Sequence, residues 1–135
     1  MYFFDHQVRV RYGDTDQMGY VYYGNYAYYY EQARSEAIRA LGFPYKQLEA
    51  SGVMMPITRM QSRFRQPAFY DDLLTVRVFI PELPGRMILF TYEIRNEKNE
   101  LIHEGETQLA FISLETRRPT HAPPQLINLL RPFFQ

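Results

Sequence analysis

The sequence predicts an α+β fold in which one long helix lies against an antiparallel sheet, within a single domain over residues 1–135. Three observations carry this expectation. The chain opens with strand-like alternation, one stretch then keeps an apolar stripe at helical spacing, and several strand-like runs separated by turn signals follow. One helix cannot cover both faces of such a sheet or its edges. Pairing with another copy is therefore expected, as a homodimer or homotetramer.

Each element has its own warrant. Residues 6–12 place Val8, Val10 and Tyr12 on one side and Gln7, Arg9 and Arg11 on the other, the period of a half-buried strand. A turn-rich connection runs from Gly13 to Gly24. Tyr26, Tyr29, Tyr30, Ala33, Ala37 and Leu41 then share one helical face, with Asn25 as N-cap, Gly42 as C′ residue and Pro44 as stop. That helix would run for about sixteen residues, or about 24 Å. Residues 53–66 read as a strand. Residues 73–81 and 86–95 read as two more, joined at Pro84-Gly85, and a polar loop over residues 96–100 leads to a last strand over residues 101–113. There Glu104, Glu106 and Gln108 alternate with His103, Thr107 and Leu109. A short amphipathic segment follows Pro123-Pro124.

Composition narrows the chemistry. With no cysteine, the chain has no disulfide, no thiolate zinc ligand and no cysteine nucleophile. Fifteen basic and fifteen acidic side chains cancel, so no blanket electrostatic grip on nucleic acid or anionic membrane is expected. No run of apolar residues is long enough for membrane insertion, and the first residues lack the apolar core of a signal peptide; a cytoplasmic protein is expected. No serine lies in a nucleophile-elbow setting, and no glycine loop fits a phosphate-cradling fingerprint. His6, His103 and His121 lack ligand spacing and read as surface or strand-face residues. Twelve tyrosines and ten phenylalanines without one tryptophan are the anomaly.

Seven of those tyrosines lie between Tyr20 and Tyr30, beside the acids of Asp14-Thr15-Asp16. A carboxylate walled by aromatic rings is partly desolvated, which makes it a better base or nucleophile. The start of the following helix offers free N–H groups and a positive dipole end to a developing oxyanion. Base and oxyanion donor in one loop suit acyl transfer. The same residues also suit a purely structural reading, with the acids capping a turn and the tyrosines filling a core, and an Asp-x-Asp pair can contribute to a cation site.

The segment from Val10 to Arg34 resembles the signature of the 4-hydroxybenzoyl-CoA thioesterase family of hotdog-fold acyl-CoA thioesterases. It is similar also to the group associated with the bacterial Tol–Pal system. The matching pieces are Asp14-Thr15-Asp16, Gly19-Tyr20-Val21, Tyr22-Tyr23, Asn25-Tyr26 and Glu31-Gln32-Ala33-Arg34, with Arg65-Gln66-Pro67-Ala68, Asp71-Asp72 and Thr116-Arg117-Arg118-Pro119 further on. The resemblance implies a hotdog fold, an antiparallel sheet wrapped around one helix, with active sites at a subunit interface. It implies an acyl-CoA thioesterase releasing a free acid and CoA, with Asp16 as nucleophile or general base and the backbone N–H of Tyr23 polarising the carbonyl. Asn25 would order the loop and helix entry.

The chain departs from the family where Tyr23 replaces a common histidine and Gln17-Met18 replaces small residues, which bears on the acyl group accepted. CoA brings phosphates, for which Arg59, Arg63, Arg65, Arg117 and Arg118 are the expected partners; solvation or pairing with Asp71, Asp72 and Glu115 is the competing reading. Glu31 and Arg34 are spaced to pair along the helix. No cofactor and no metal is expected. The alternative function is a hotdog protein that binds acyl-CoA or acyl carrier protein without turnover; a dehydratase is disfavoured, because the loop has no histidine.

Overall fold

A computed structural model describes all residues from Met1 to Gln135. Its elements are β1 (Tyr2–Arg9), α1 (Tyr26–Ala40), α2 (Tyr45–Ala50), β2 (Val53–Met54), β3 (Ile57–Phe64), β4 (Leu73–Ile80), β5 (Met87–Arg95), β6 (Leu101–Ala110), β7 (Ile112–Ser113) and α3 (Pro124–Leu130). Short 3₁₀ turns at Tyr12–Asp14 and Tyr23–Asn25 bracket the connection into α1. The main sheet is antiparallel throughout with strand order β1-β4-β5-β6-β3, and β2 pairs with β7 apart from it. This is the α+β hotdog arrangement that the sequence and its resemblance imply.

Alternation explains which face holds the core. Leu74, Val76, Val78 and Ile80 of β4 and Ile88, Phe90, Tyr92 and Ile94 of β5 are each at most 1% exposed. Each such side chain contributes about 1.5–3 kcal/mol by leaving water. The helix answers with Tyr26, Tyr29, Tyr30, Ala33 and Ala37, all buried. The two alanines let the second half of α1 settle close on the sheet, and Tyr2 of β1 donates its hydroxyl to the Ala37 carbonyl at 2.7 Å.

Three element boundaries differ from the sequence expectation. The first strand begins at Tyr2 and ends at Arg9, because Tyr2 to Phe4 pair with β4 while Tyr12, 79% exposed, turns outward in a 3₁₀ turn. The run over residues 53–66 is two strands, interrupted at Met55-Pro56, where proline has no N–H for a ladder. The run over residues 101–113 also divides: Phe111 donates its N–H to Arg86 and the chain turns to pair with β2. Gly42 takes φ +96°, the left-handed conformation expected after a helix.

The outer strand β3 is unlike the rest. All eight of its residues are exposed, including Ile57, Met60 and Phe64, and only one of its edges is paired, to β6.

Candidate active site

The connection between β1 and α1 is held by its own backbone. Asp16 donates its N–H to Tyr20 at 3.1 Å and accepts the N–H of Gly19 at 2.9 Å, with Gly19 at φ +89° closing the turn. Val21 donates to Ala68 at 2.8 Å, which ties the loop to the segment after β3. Tyr23 opens the 3₁₀ turn that runs into α1, so its N–H, like every first N–H of a helix, has no carbonyl behind it. The positive end of the α1 dipole lies in the same place.

The two acids of the loop have different lives. Asp14 Oδ2 accepts the N–H of Arg11 and the hydroxyl of Tyr29, each at 2.9 Å. Its carbonyl accepts Asn25 Nδ2 at 2.8 Å and the N–H of Tyr22 at 2.9 Å. Burial, and next the bond to Asp14, push the Tyr29 phenol far above the usual range, so it stays a donor. Asp16 Oδ1 accepts one bond, from the N–H of Met18 at 2.9 Å, and Oδ2 accepts none from the protein. Asp16 lines a cavity of about 310 Å³ with Tyr20, Tyr23, Tyr26, Phe64 and Arg65. Asp14 faces a separate cleft. The two carboxylates therefore do not converge on one cation.

Behind the cavity wall sits a residue whose environment the sequence did not reveal. His103 of β6 is fully buried; Tyr26 stacks on it at 4.0 Å with planes 2° apart, and Phe64 meets it edge-on at 4.8 Å. Burial pushes its pKa down to about 4, against a smaller opposing pull from Glu104, so the ring is neutral at pH 7. Its Nε2 bonds the Tyr30 hydroxyl, which bonds Ser62 Oγ at 2.6 Å, while Nδ1 has no partner. A buried donor without an acceptor is costlier than a lone pair without a donor. The favoured arrangement thus has Nε2–H donating to Tyr30 and Tyr30 donating to Ser62. Only a glycine at position 105 permits it, since a Cβ there would sit 2.0 Å from the Tyr30 oxygen. In sequence His103 reads as an ordinary strand residue; the signal available was Gly105 two places on, a gap in a strand facing a helix full of tyrosines.

The structure brings Asp16, Tyr23 and Arg65 to one cavity. It places the other nominated residues elsewhere. Asn25 stands at the N-cap position without a side-chain cap bond, and its amide holds the Asp14 carbonyl instead. Arg59 pairs with Glu106 at 3.0 Å and Arg65 with Glu104 at 2.7 Å, across β3 and β6, in place of the acids expected from sequence. Arg63 lies in a shallow groove on the outer face of the sheet, and Arg117 and Arg118 follow β7, with Arg117 at φ +62°. Glu31 and Arg34 do not pair; Arg34 reaches the Tyr92 hydroxyl at 3.5 Å, and the helix pair that forms is Glu36–Arg39.

Fold and cavity together define a hotdog protein with an acid-bearing aromatic cavity at the start of its long helix. The sequence model of the thioesterase-like superfamily matches residues 10–130, and the chain belongs to that family. An acyl-CoA thioester hydrolase of Escherichia coli is 32% identical over 120 residues, covering 89% of this chain and 90% of that protein. A 1,4-dihydroxy-2-naphthoyl-CoA hydrolase of Thermosynechococcus vestitus is 31% identical over 123 residues, covering 90% and 84%. A DHNA-CoA thioesterase structure from Staphylococcus aureus superposes with a TM-score of 0.85 at 32% identity, covering 99% of this chain and 85% of that one. The chain is accordingly an enzyme, a thioester hydrolase. No helix is long and apolar enough to cross a membrane.

Proposed function

We propose that the protein is a cytoplasmic acyl-CoA thioesterase of the 4-hydroxybenzoyl-CoA and Tol–Pal-associated type, acting as one hotdog unit over residues 1–135, with Asp16 as the reacting carboxylate. One observation carries the reading: Asp16 lines an aromatic cavity at the start of α1, and its Oδ2 is free of protein donors. As nucleophile, Oδ2 attacks the thioester carbon, the C–S bond breaks, and CoA leaves as thiolate and takes a proton from water. Water then splits the anhydride to the free acid and Asp16. As general base, Asp16 instead takes the proton of a water that attacks directly. In both routes the Tyr23 N–H and the helix dipole stabilise the carbonyl oxygen as it gains charge. Asn25 serves by holding the Asp14 carbonyl, and so the loop. Arg65 stands at the cavity for a CoA phosphate, while Arg59, Arg63, Arg117 and Arg118 are outlying candidates for the same task.

The assembly belongs to this proposal. An outer strand with one unpaired edge and exposed Ile57, Met60 and Phe64 is a pairing surface, and a second copy of β3 would continue the sheet into a dimer, with a tetramer as the further step. A cavity walled with tyrosine and phenylalanine suits aryl, branched and short aliphatic acyl groups alike.

The test is a hydrolysis screen over short, long and aromatic acyl-CoA esters with the wild type and Asp16→Ala. Turnover by the wild type that the folded variant loses supports the reading. Equal turnover by both refutes Asp16, and CoA binding without turnover across the whole panel favours the non-catalytic alternative.

A further inference from the structure

Five tyrosines of the chain are buried: Tyr2, Tyr26, Tyr29, Tyr30 and Tyr92. A buried phenol needs a partner, and four of the five have one within the protein. Tyr2 bonds the Ala37 carbonyl, Tyr29 bonds Asp14, Tyr30 lies between His103 and Ser62, and Tyr92 bonds Thr107. Tyr26 is the exception. The residue is 3% exposed, yet its hydroxyl bonds no group of the chain. That hydroxyl is not sealed in the core either, since the one fully enclosed side-chain atom without a partner is His103 Nδ1. The cavity that Tyr26 lines is the one that holds Asp16 and Tyr23. The ring is fixed on several sides: His103 stacks on it at 4.0 Å, and Phe64 and Tyr29 make edge-to-face contacts at 5.5 and 5.7 Å. Burial pushes the phenol up to about 12, so it keeps its proton at pH 7. Tyr26 is also the first residue of α1, one turn beyond Tyr23. Helical side chains lean back over the preceding turn, which here is the turn with the free Tyr23 N–H.

We infer that the Tyr26 hydroxyl donates a hydrogen bond to an oxygen of the bound acyl thioester. The inference rests on the thioesterase reading given above and adds a residue to it. Two oxygens can take the bond, the thioester carbonyl or one carried by the acyl group. The position favours the carbonyl, because Tyr26 leans toward the turn whose N–H polarises that same atom. A carbonyl oxygen that gains charge is better served by two donors than by one. Donors already in place need no reorganisation as the charge forms. Tyr23 then supplies the backbone donor, Tyr26 the side-chain donor, and Asp16 stays the reacting carboxylate. Tyr26 gives up no proton: its bond tightens as the carbonyl oxygen becomes an oxyanion and relaxes when the C–S bond breaks.

The experiment compares the wild type with Tyr26→Phe, which keeps the ring and its aromatic contacts and removes only the hydroxyl. Thermal unfolding comes first. A hydroxyl without a protein partner adds little to the fold, so Tyr26→Phe should unfold at the wild-type midpoint or above. A lower midpoint assigns the hydroxyl a structural task and overturns the inference. Hydrolysis of butyryl-CoA, benzoyl-CoA and 4-hydroxybenzoyl-CoA follows. A fall in kcat of about tenfold or more on all three, with little change in KM, assigns the bond to the thioester carbonyl. A fall confined to 4-hydroxybenzoyl-CoA assigns the same donor to an oxygen of the acyl group. Equal kinetics on every ester that the wild type cleaves overturn the donor and leave the Asp16 reading untouched. Phenacyl-CoA tests binding alone, since a methylene between its carbonyl and sulfur prevents hydrolysis. If no thioester is cleaved, tighter binding of phenacyl-CoA by the wild type than by Tyr26→Phe keeps the donor and drops the catalytic reading, and equal binding overturns both.

Discussion

Asp14 and Asp16 are two residues apart, carry the same functional group and share a loop, yet the fold treats them oppositely. Asp14 is consumed by structure: an amide from Arg11 and a phenol from Tyr29 hold its carboxylate, and Asn25 and Tyr22 hold its carbonyl. Asp16 is held by its backbone and by one bond to Oδ1, which leaves Oδ2 available. A reactive carboxylate needs fixed position and unspent lone pairs at once. Under the mechanism proposed above, the first acid supplies the fixity and the second keeps the lone pairs, so an Asp-x-Asp motif would divide one requirement between two side chains.

The largest expected effect comes from the second acid. Asp16→Asn should lower kcat for thioester hydrolysis by about 10²-fold or more, the range for a lost base or nucleophile, while thermal unfolding stays within a degree or two of wild type. A large fall in Tm would show that Asp16 is structural as well.

Next is the wall behind Asp16. His103 is depressed to about 4 in the folded chain and titrates near 6.5 when unfolded. Between those values the unfolded chain binds more protons, so the stability of a neutral His103 is fully present above about pH 6.5 and is lost as pH falls toward 4. The loss over that interval is on the order of 3 kcal/mol. Denaturant unfolding at pH 7, 6, 5 and 4 should show this decline, and His103→Gln should flatten it; an unchanged slope in the variant would assign the acid sensitivity to other groups.

The first acid should give a smaller effect, of a different kind. Asp14→Ala leaves the buried Tyr29 hydroxyl without its acceptor and should cost about 1–3 kcal/mol of stability by chemical denaturation. Tyr29→Phe in the same background should restore part of that loss, because it removes the orphaned donor. If Asp14→Ala unfolds at the wild-type midpoint, the division of labour described above is wrong. The smallest effect belongs to the surface. Arg59→Ala breaks a solvent-exposed pair with Glu106 and should change stability by no more than about 1 kcal/mol.

Much of this was legible in the chain. The helix from Tyr26 to Ala40 is read directly from its tyrosine and alanine spacing, and β4 and β5 from alternation with every second residue buried. The pair Asp14 and Asp16 was legible as acids at an aromatic helix start, but their different hydrogen bonding was not. The partners of the arginines were not. Arg59 and Arg65 find Glu106 and Glu104 because β3 lies antiparallel beside β6 in one register, a pairing over some forty residues that no local pattern encodes. The burial of His103 was hidden for a related reason: its environment comes from Tyr26, Tyr30, Phe64 and Gly105, which are brought together only by the sheet and helix jointly. Where the chain broke its own patterns, at Pro56 and Phe111, the cause was a single residue redirecting the backbone.

The strand order also has a kinetic meaning. β4, β5 and β6 are neighbours in sequence as in space and can form as a meander with short loops, whereas β1 joins β4 with Tyr2 opposite Ile80, and β3 reaches β6 with Arg63 opposite Glu104. Contacts between distant parts of a chain carry the larger loop-closure cost and tend to form late. The two outer strands are therefore the last to dock during folding. They are also the strands that lead into the Asp14–Asp16 loop and carry Phe64 and on to Arg65. A refolding chain should regain most of its secondary structure before it can cleave a thioester, so the return of activity in a refolding experiment marks the closing of the sheet at both margins.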